Sequence, residues 1–225
     1  WGAVNDRVEG LKAGLDLEMP SSGGMNDALI VEAVKEGTLD ECVVDTACER
    51  IIDIIFRYAE NRDPDAKLDL QKDHETAAAI EEECIVLLKN EDNILPLPKE
   101  KKVAFIGKYA ESPRYQGGGS SHINSWKVES ALEAVKDFAD VAYAKGYDDA
   151  EDKTDEALLI EAVKTAEEAD VAVIFAGLPD NFESEGYDRK HLNMPDCQNT
   201  LIEKVTEVQK NVIVVLHNGS PVLMP

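Results

Sequence analysis

The stretch "DVAVIFAGLPDNFESEGYDRKH", residues 170–191, decides how the second half of the chain is read. Val171 to Ala176 is an unbroken apolar run, rich in β-branched and aromatic residues, closed by Gly177 and Pro179. A run that short, with breakers at its end, reads as a strand buried on both faces. Directly after it come Glu183, Glu185 and Asp188, with Tyr187 and Arg189 among them. A plain connector has no need of so many acids, and their place at a strand end is a question of chemistry.

Outward from that strand the pattern repeats. "KVAFIG" (102–107), "DVAYAKG" (140–146) and "NVIVVLH" (211–217) read as further strands. Between them, "VESALEAVKDF" (128–138) sets Val128, Leu132, Val135 and Phe138 in helical register. "TDEALLIEAVKTAEEA" (154–169) reads as a helix capped by Thr154, and "DCQNTLIEKVTEVQK" (196–210) as one capped by Asp196. Strands and helices in alternation imply an α/β fold with a mostly parallel sheet. Ligands of open parallel sheets bind at the carboxyl ends of the strands. Three unusual loops follow strands here: 108–124 with its glycines, 178–191 with its acids, and "NGSP" (218–221). All three are expected on one edge.

Residues 1–60 read as mostly helical. "VEGLKAGLDLEMP" (8–20) runs from a helix into a short strand or turn ended by Pro20, "SSGG" breaks the pattern, and "NDALIVEAVKEG" stops at Gly37. "TLDE" offers a capping box, Thr38 with Glu41, for a helix with Val44, Cys48, Ile51, Ile55 and Tyr58 on one stripe. Residues 60–73 are polar and aperiodic, as in a linker, and Asp73 is placed to cap a helix running to about Lys89.

The 225 residues are 44% hydrophobic and 31% charged, a composition with enough apolar material for a sizeable core. The net charge of −23 repels phosphate backbones and anionic membranes. No nucleic-acid or membrane partner is expected, and a neutral small substrate is acceptable. No apolar run approaches membrane-spanning length. Cys42, Cys48, Cys84 and Cys197 form no CxxC pair and are read as small buried hydrophobes with free thiols, hence a reducing, cytoplasmic setting. His74, His122, His191 and His217 lack metal-ligand spacing, so no metal is expected.

The candidate site residues lie in two loops. "GGGSSH" (117–122) completes neither a dinucleotide fingerprint nor a phosphate loop. A glycine turn explains it, and so does a close approach to a sugar with Ser120 and Ser121 donating to its hydroxyls. In "ESEGYDR", Glu185 precedes Gly186 and can project from a sharp turn, with Glu183 two residues before it. In a partly closed cleft either acid could have a raised pKa and act as a general acid. The alternative is a solvated loop with an Asp188–Arg189 surface pair.

Read together, "WGAVNDRVEGLKAGLDLEMP", "CIVLLKNEDNILPL", "RYQGGGSSHIN", "ESEGYDR" and "VIVVLHNGSPVLMP" resemble the family 3 glycoside hydrolases of bacterial β-glucosidase type, in the family's order and over essentially the whole chain. The resemblance implies the C-terminal remnant of a (β/α)8-type barrel at 1–60, a linker at 61–83, and a mostly parallel α/β sandwich from 84 to 225, incomplete at its end. It implies a retaining β-glucosidase without cofactor or metal, acting on terminal non-reducing β-D-glucosyl residues of β-glucosides or oligosaccharides. Glu185 is then the general acid/base, with Glu183 as the fallback. Relatives carry the nucleophilic aspartate in a motif like S-D-W-G, and this chain opens on the Trp. The nucleophile and the remainder of the barrel, which acts as a partner, are expected outside it, and the 225 residues alone are expected to be inactive. Trp1 is implied to pack near subsite +1, Asp6 and Arg7 to orient their strand end, and Ser120 or Ser121 to reach the −1 sugar. The alternatives are a β-xylosidase or other exo-glycosidase of the family, N-acetylglucosaminidase less so, or a noncatalytic sugar-binding or interaction module.

Overall fold

A computed structural model of the chain describes residues 2–91 and 93–224. The chain divides into two compact units, one reaching to Leu68 and one starting at Asp69.

The first unit is helical: α1 (Arg7–Lys12), α2 (Asp27–Lys35) and α3 (Glu41–Asn61). Among the described residues before Pro20 no strand forms. Asp6 is the N-cap of α1, accepting from the Val8 and Glu9 amides, so it organises a helix start rather than a strand end. The expected Thr38 capping box is displaced by two residues: Asp40 caps α3 through the Cys42 amide, while Thr38 Oγ1 donates to Ala33 O. Asp40 has the extended backbone that a cap needs, and Thr38 is spent closing α2. Leu11, Ala33, Leu39 and Ala47 form this unit's small core. Of the α3 stripe, Val44 and Ile51 are partly buried, whereas Cys48, Ile55 and Tyr58 are exposed.

The second unit opens with α4 (Leu70–Cys84). Its cap is Asp69, which accepts from the Lys72 amide; Asp73 lies inside the helix, and the helix stops at Cys84 rather than near Lys89. His74 ties α4 to Glu129 at 3.4 Å and meets Trp126 edge-on. Three of the four cysteines, 42, 48 and 84, are exposed, against the expectation of burial; Cys197 alone is in a core. The helix faces that carry the three are uncovered among the described residues.

The rest is β1 (Val103–Ile106), α5 (Ala131–Val135), β2 (Val141–Ala144), α6 (Glu156–Glu167), β3 (Val171–Gly177), α7 (Asp196–Val208) and β4 (Val212–His217). The strands form one parallel sheet in the order β2-β1-β3-β4. Side chains alternate across it, as the pleat requires. Ala172, Ile174 and Ala176 of β3 join a core with Leu159, Ala162 and Ala166 of α6 and Leu201 and Val205 of α7. Val171, Val173 and Phe175 join the opposite core with Val103 and Tyr109. This is why the run at 171–177 is apolar at every position: each face of the strand has its own core. The alanines on one face let the α6–α7 layer approach the sheet closely.

Caps again depart from the expected positions. Asp155, not Thr154, caps α6. Asp196 is the first residue of α7, and the amides of that helix end left without an intrahelical acceptor, Asp196 N and Cys197 N, donate instead to the carboxylate of Asp152 at 3.0 and 2.9 Å. α5 is shorter than its apolar register: Ser130 and Glu133 make a capping box, Leu132 packs inward, and Val128 and Phe138 lie outside the helix, exposed.

Candidate active site

From β1 the chain passes outward to β2; from β3 it passes the other way to β4. The loops that leave β1 and β3 therefore diverge, and the crevice between them at the carboxyl ends is a topological switch point. The glycine loop follows β1, the acid loop follows β3, and the "NGSP" loop follows the neighbouring β4. Their residues line one open depression of about 560 Å³, among them Tyr115, Gly118, Ser120, Glu183, Glu185 and His217. The expected convergence on one edge is what the sheet order produces.

The glycine and acid loops are zipped together. Gly118 bridges Ser184 in parallel fashion, and the Glu185 amide donates to Gly118 O at 3.3 Å. Space dictates the glycines here. A Cβ on Gly118 would lie 2.6 Å from Ser184 Oγ; one on Gly119, whose φ is +93°, would lie 2.5 Å from Glu185 Cβ. A side chain at Gly118 would displace the Ser184 hydroxyl, and one at Gly119 would push on Glu185 at its Cβ.

Glu185 is exposed on the rim. Its Oε2 accepts the Ser120 amide at 2.6 Å and the Ser120 hydroxyl. Ser120's side chain and then its amide hold the carboxyl below its usual range. The expected raised pKa is thus not a property of this loop by itself, because both donors favour the ionised form. Ser120's hydroxyl is engaged by Glu185, and Ser121 Oγ donates to Gly117 O at 3.3 Å.

Glu183 is set differently. Burial pushes its carboxyl up, but Ser220, Gly219 and Arg114 together outweigh burial and leave it below the ordinary value. The contacts are Ser220 Oγ at 2.5 Å, Gly219 N at 3.0 Å and Arg114 Nη1 at 3.0 Å. Behind the site, His217 is partly buried beside Tyr109 and Phe175, and burial lowers its pKa, favouring the neutral imidazole. Its Nε2 is buried without a partner among the described residues.

The Asp188–Arg189 surface pair does not form: Arg189 donates to Pro221 O, tying the acid loop to the β4 loop, and Tyr187 OH donates to Asp180 O. Arg7 pairs with Glu18 at 2.5 Å and Asp27 at 3.3 Å inside the first unit. Trp1 lies outside the described residues. Sequence reading passed over Arg114, Asp180 and Ser220. Arg114 stands in the quoted "RYQGGGSSHIN" and Ser220 in "NGSP", so the loops were flagged but the residue pairing across them was not.

Residues 85–225 match the glycosyl hydrolase family 3 C-terminal domain. Over 229 residues the chain is 52% identical to thermostable beta-glucosidase B of Acetivibrio thermocellus, covering all of this chain and 30% of that protein. It is 42% identical to an exo-alpha-(1->6)-L-arabinopyranosidase of Bifidobacterium breve, covering 98% of this chain and 30% of that protein. The crystal structure of a GH3 beta-glucosidase from Bifidobacterium adolescentis superposes with a TM-score of 0.90 at 42% identity, over 99% of this chain and 33% of that one. The chain therefore spans about a third or less of the length of these relatives. A four-stranded parallel sheet with a loop-built depression at its switch point and a match across residues 85–225 place the chain in glycosyl hydrolase family 3.

Proposed function

We propose that this chain is part of a retaining β-glucosidase that removes terminal non-reducing β-D-glucosyl residues, and that Glu185 is its general acid/base. The observation that carries the reading is the placement of Glu185: an exposed carboxylate with one oxygen held by Ser120, on the rim of the depression over the switch point. The 52% identity to a beta-glucosidase supports the glycone.

Retaining hydrolysis needs two carboxyl groups about 5–5.5 Å apart. In this reading the nucleophile is an aspartate from a part of the protein outside these 225 residues. It attacks the anomeric carbon while Glu185 gives its proton to the departing glycosidic oxygen. Glu185, now ionised, takes a proton from water, and that water oxygen displaces the aspartate from the sugar. The first step needs a protonated Glu185, whereas Ser120 favours the ionised form. A nucleophile carboxylate across the cleft opposes Ser120 by like-charge repulsion, and closure of the cleft over the rim adds desolvation. Both raise the pKa towards the working range, and the repulsion is lost once the nucleophile is esterified by the sugar, when Glu185 must act as base.

The test is Glu185→Ala in the complete protein. General acid–base assistance is typically worth about 10²–10⁴-fold. Cellobiose, whose leaving group needs the proton, is expected to lose that much, and dinitrophenyl β-glucoside far less in its first step. Azide should restore turnover and give β-glucosyl azide. An equal loss on both substrates without azide product would overturn the assignment. The arabinopyranosidase relative, at 42% identity, supports a second reading in which the glycone is a pentopyranose. Comparing aryl β-glucoside, β-xyloside and α-L-arabinopyranoside separates the two.

A further inference from the structure

Two acids stand two residues apart in the acid loop, and their surroundings differ in kind. Glu185 has one partner residue, and the exposed side chain keeps its second oxygen free of hydrogen bonds among the described residues. Glu183 has three, from two other loops: Arg114 from the glycine loop, and Gly219 and Ser220 from the loop after β4. The Arg114 guanidinium also reaches the backbone oxygen of Glu183 at 2.8 Å through Nη2, and Asp180 Oδ1 at 3.3 Å through Nε. One guanidinium thus grips both ends of the Asp180–Glu183 turn. The side chains of Arg114 and Glu183 are only 11% and 21% exposed. Gly219 approaches so closely that a Cβ there would lie 3.3 Å from both Glu183 oxygens.

We propose that Glu183 is a positioning residue: with Arg114 it clasps the three site loops together and so fixes the segment carrying Glu185, and it is not itself a proton donor. The proposal rests on the reading of Glu185 given above. The hydrogen-bond inventory supports it. Ser220 Oγ, Gly219 N and two guanidinium nitrogens all donate toward this one residue, so the carboxylate serves as an acceptor only. Placing a proton on it would set an O–H against one of those donors and cost a charge-assisted bond. The same carboxylate is the joint between loops that leave three different strands. Removing it frees the glycine loop, the acid loop and the β4 loop from one another, and a displacement of about 1 Å at a reacting group can cost about 10²-fold.

The experiment uses the complete protein with Glu183→Ala, Glu183→Gln, Arg114→Met, the Arg114→Met/Glu183→Ala double variant, and Glu185→Ala alongside. Gln keeps one acceptor oxygen, in the place that receives Gly219 N and Arg114 Nη1, and presents its amide nitrogen to Ser220 Oγ, a hydroxyl that can accept as well as donate; it can neither give nor take a proton, so it separates positioning from proton transfer. Glu183→Ala is expected to lower kcat on cellobiose and dinitrophenyl β-glucoside by a similar factor, about 10²-fold, without azide product. Glu183→Gln should recover most of that loss, and the double variant should be no worse than the poorer single one. Amide exchange read by mass spectrometry should speed up in segments 114–120, 180–189 and 217–221 in the Ala and Met variants while β3 stays protected. Azide rescue in Glu183→Ala, Gln as impaired as Ala, additive losses in the double variant, or unchanged exchange in the three loops would each overturn the clasp. The exchange result needs no turnover. If Glu185→Ala shows no leaving-group dependence while the loops still loosen together, the reading of Glu185 fails and the loop clasp stands.

Discussion

Replacing Gly119 by Ala isolates the steric demand of the site. At φ +93° an L-residue carries a backbone penalty of about 1–2 kcal/mol. Beyond that, the new methyl would lie 2.5 Å from Glu185 Cβ and 2.8 Å from Glu185 Oε2. Ordinary contact begins near 3.4 Å, so the loops must part by about 1 Å. Because Cβ moves only with the backbone, the shift disturbs both the Glu185 amide bond to Gly118 O at 3.3 Å and the carboxylate's bond to Ser120. A misplacement of that size can cost about 10²-fold in rate, or about 2.7 kcal/mol of transition-state stabilisation. Gly186 is the matched control: its φ is +96°, yet nothing lies within 4 Å of a Cβ there. Gly186→Ala should lose about 1–2 kcal/mol in urea denaturation of the complete protein, and Gly119→Ala, which adds the overlap, more than that. Only Gly119→Ala should also lose about 10²-fold in kcat/KM on an aryl β-glucoside. Equal activity losses in the two variants, or wild-type activity in Gly119→Ala, would refute the overlap argument.

Ser120→Ala removes the hydroxyl donor to Glu185 and keeps the amide; since both bonds favour the ionised form, the pKa should rise, and the alkaline limb of kcat/KM for the complete protein should move to higher pH. A limb that stays or moves down would contradict this. Leu201 is fully buried between α7 and the sheet, beside Gly146, so Leu201→Ala should cost about 2–5 kcal/mol by urea denaturation with little change in the slope. Asp152→Ala strips the α7 start of its acceptor and should cost about 0.5–2 kcal/mol; Asp152→Asn keeps one of the two acceptor oxygens and should recover only part of that.

What the sequence by itself determined lies within a few residues of each signal. The apolar run at 171–177, closed by Gly177 and Pro179, specifies a strand buried on both faces, and its alternation with helical periods specifies the parallel sheet. Because loops after parallel strands share an edge, the acid and glycine loops could be placed together before any contact was known. Helix starts were legible only to within one to four residues, the largest miss being Asp73 for Asp69 at α4. Thr154 and Asp155, or Thr38 and Asp40, are chemically equivalent as caps, and backbone geometry chooses between them. The cap of α7 was not legible at all, because Asp152 comes from 44 residues before it.

The difference between the two glutamates belongs wholly to the tertiary structure. In sequence, Glu183 and Glu185 are alternate positions of one acidic loop, and each can be a general acid. Their donors come from 69 residues away for Arg114, 65 for Ser120 and 36 for Gly219. Those separations are invisible to periodicity and propensity. They collapse to hydrogen-bond distance because the order β2-β1-β3-β4 sets the ends of β1, β3 and β4 side by side, and because Gly118 and Gly119 leave no side chain to hold the loops apart.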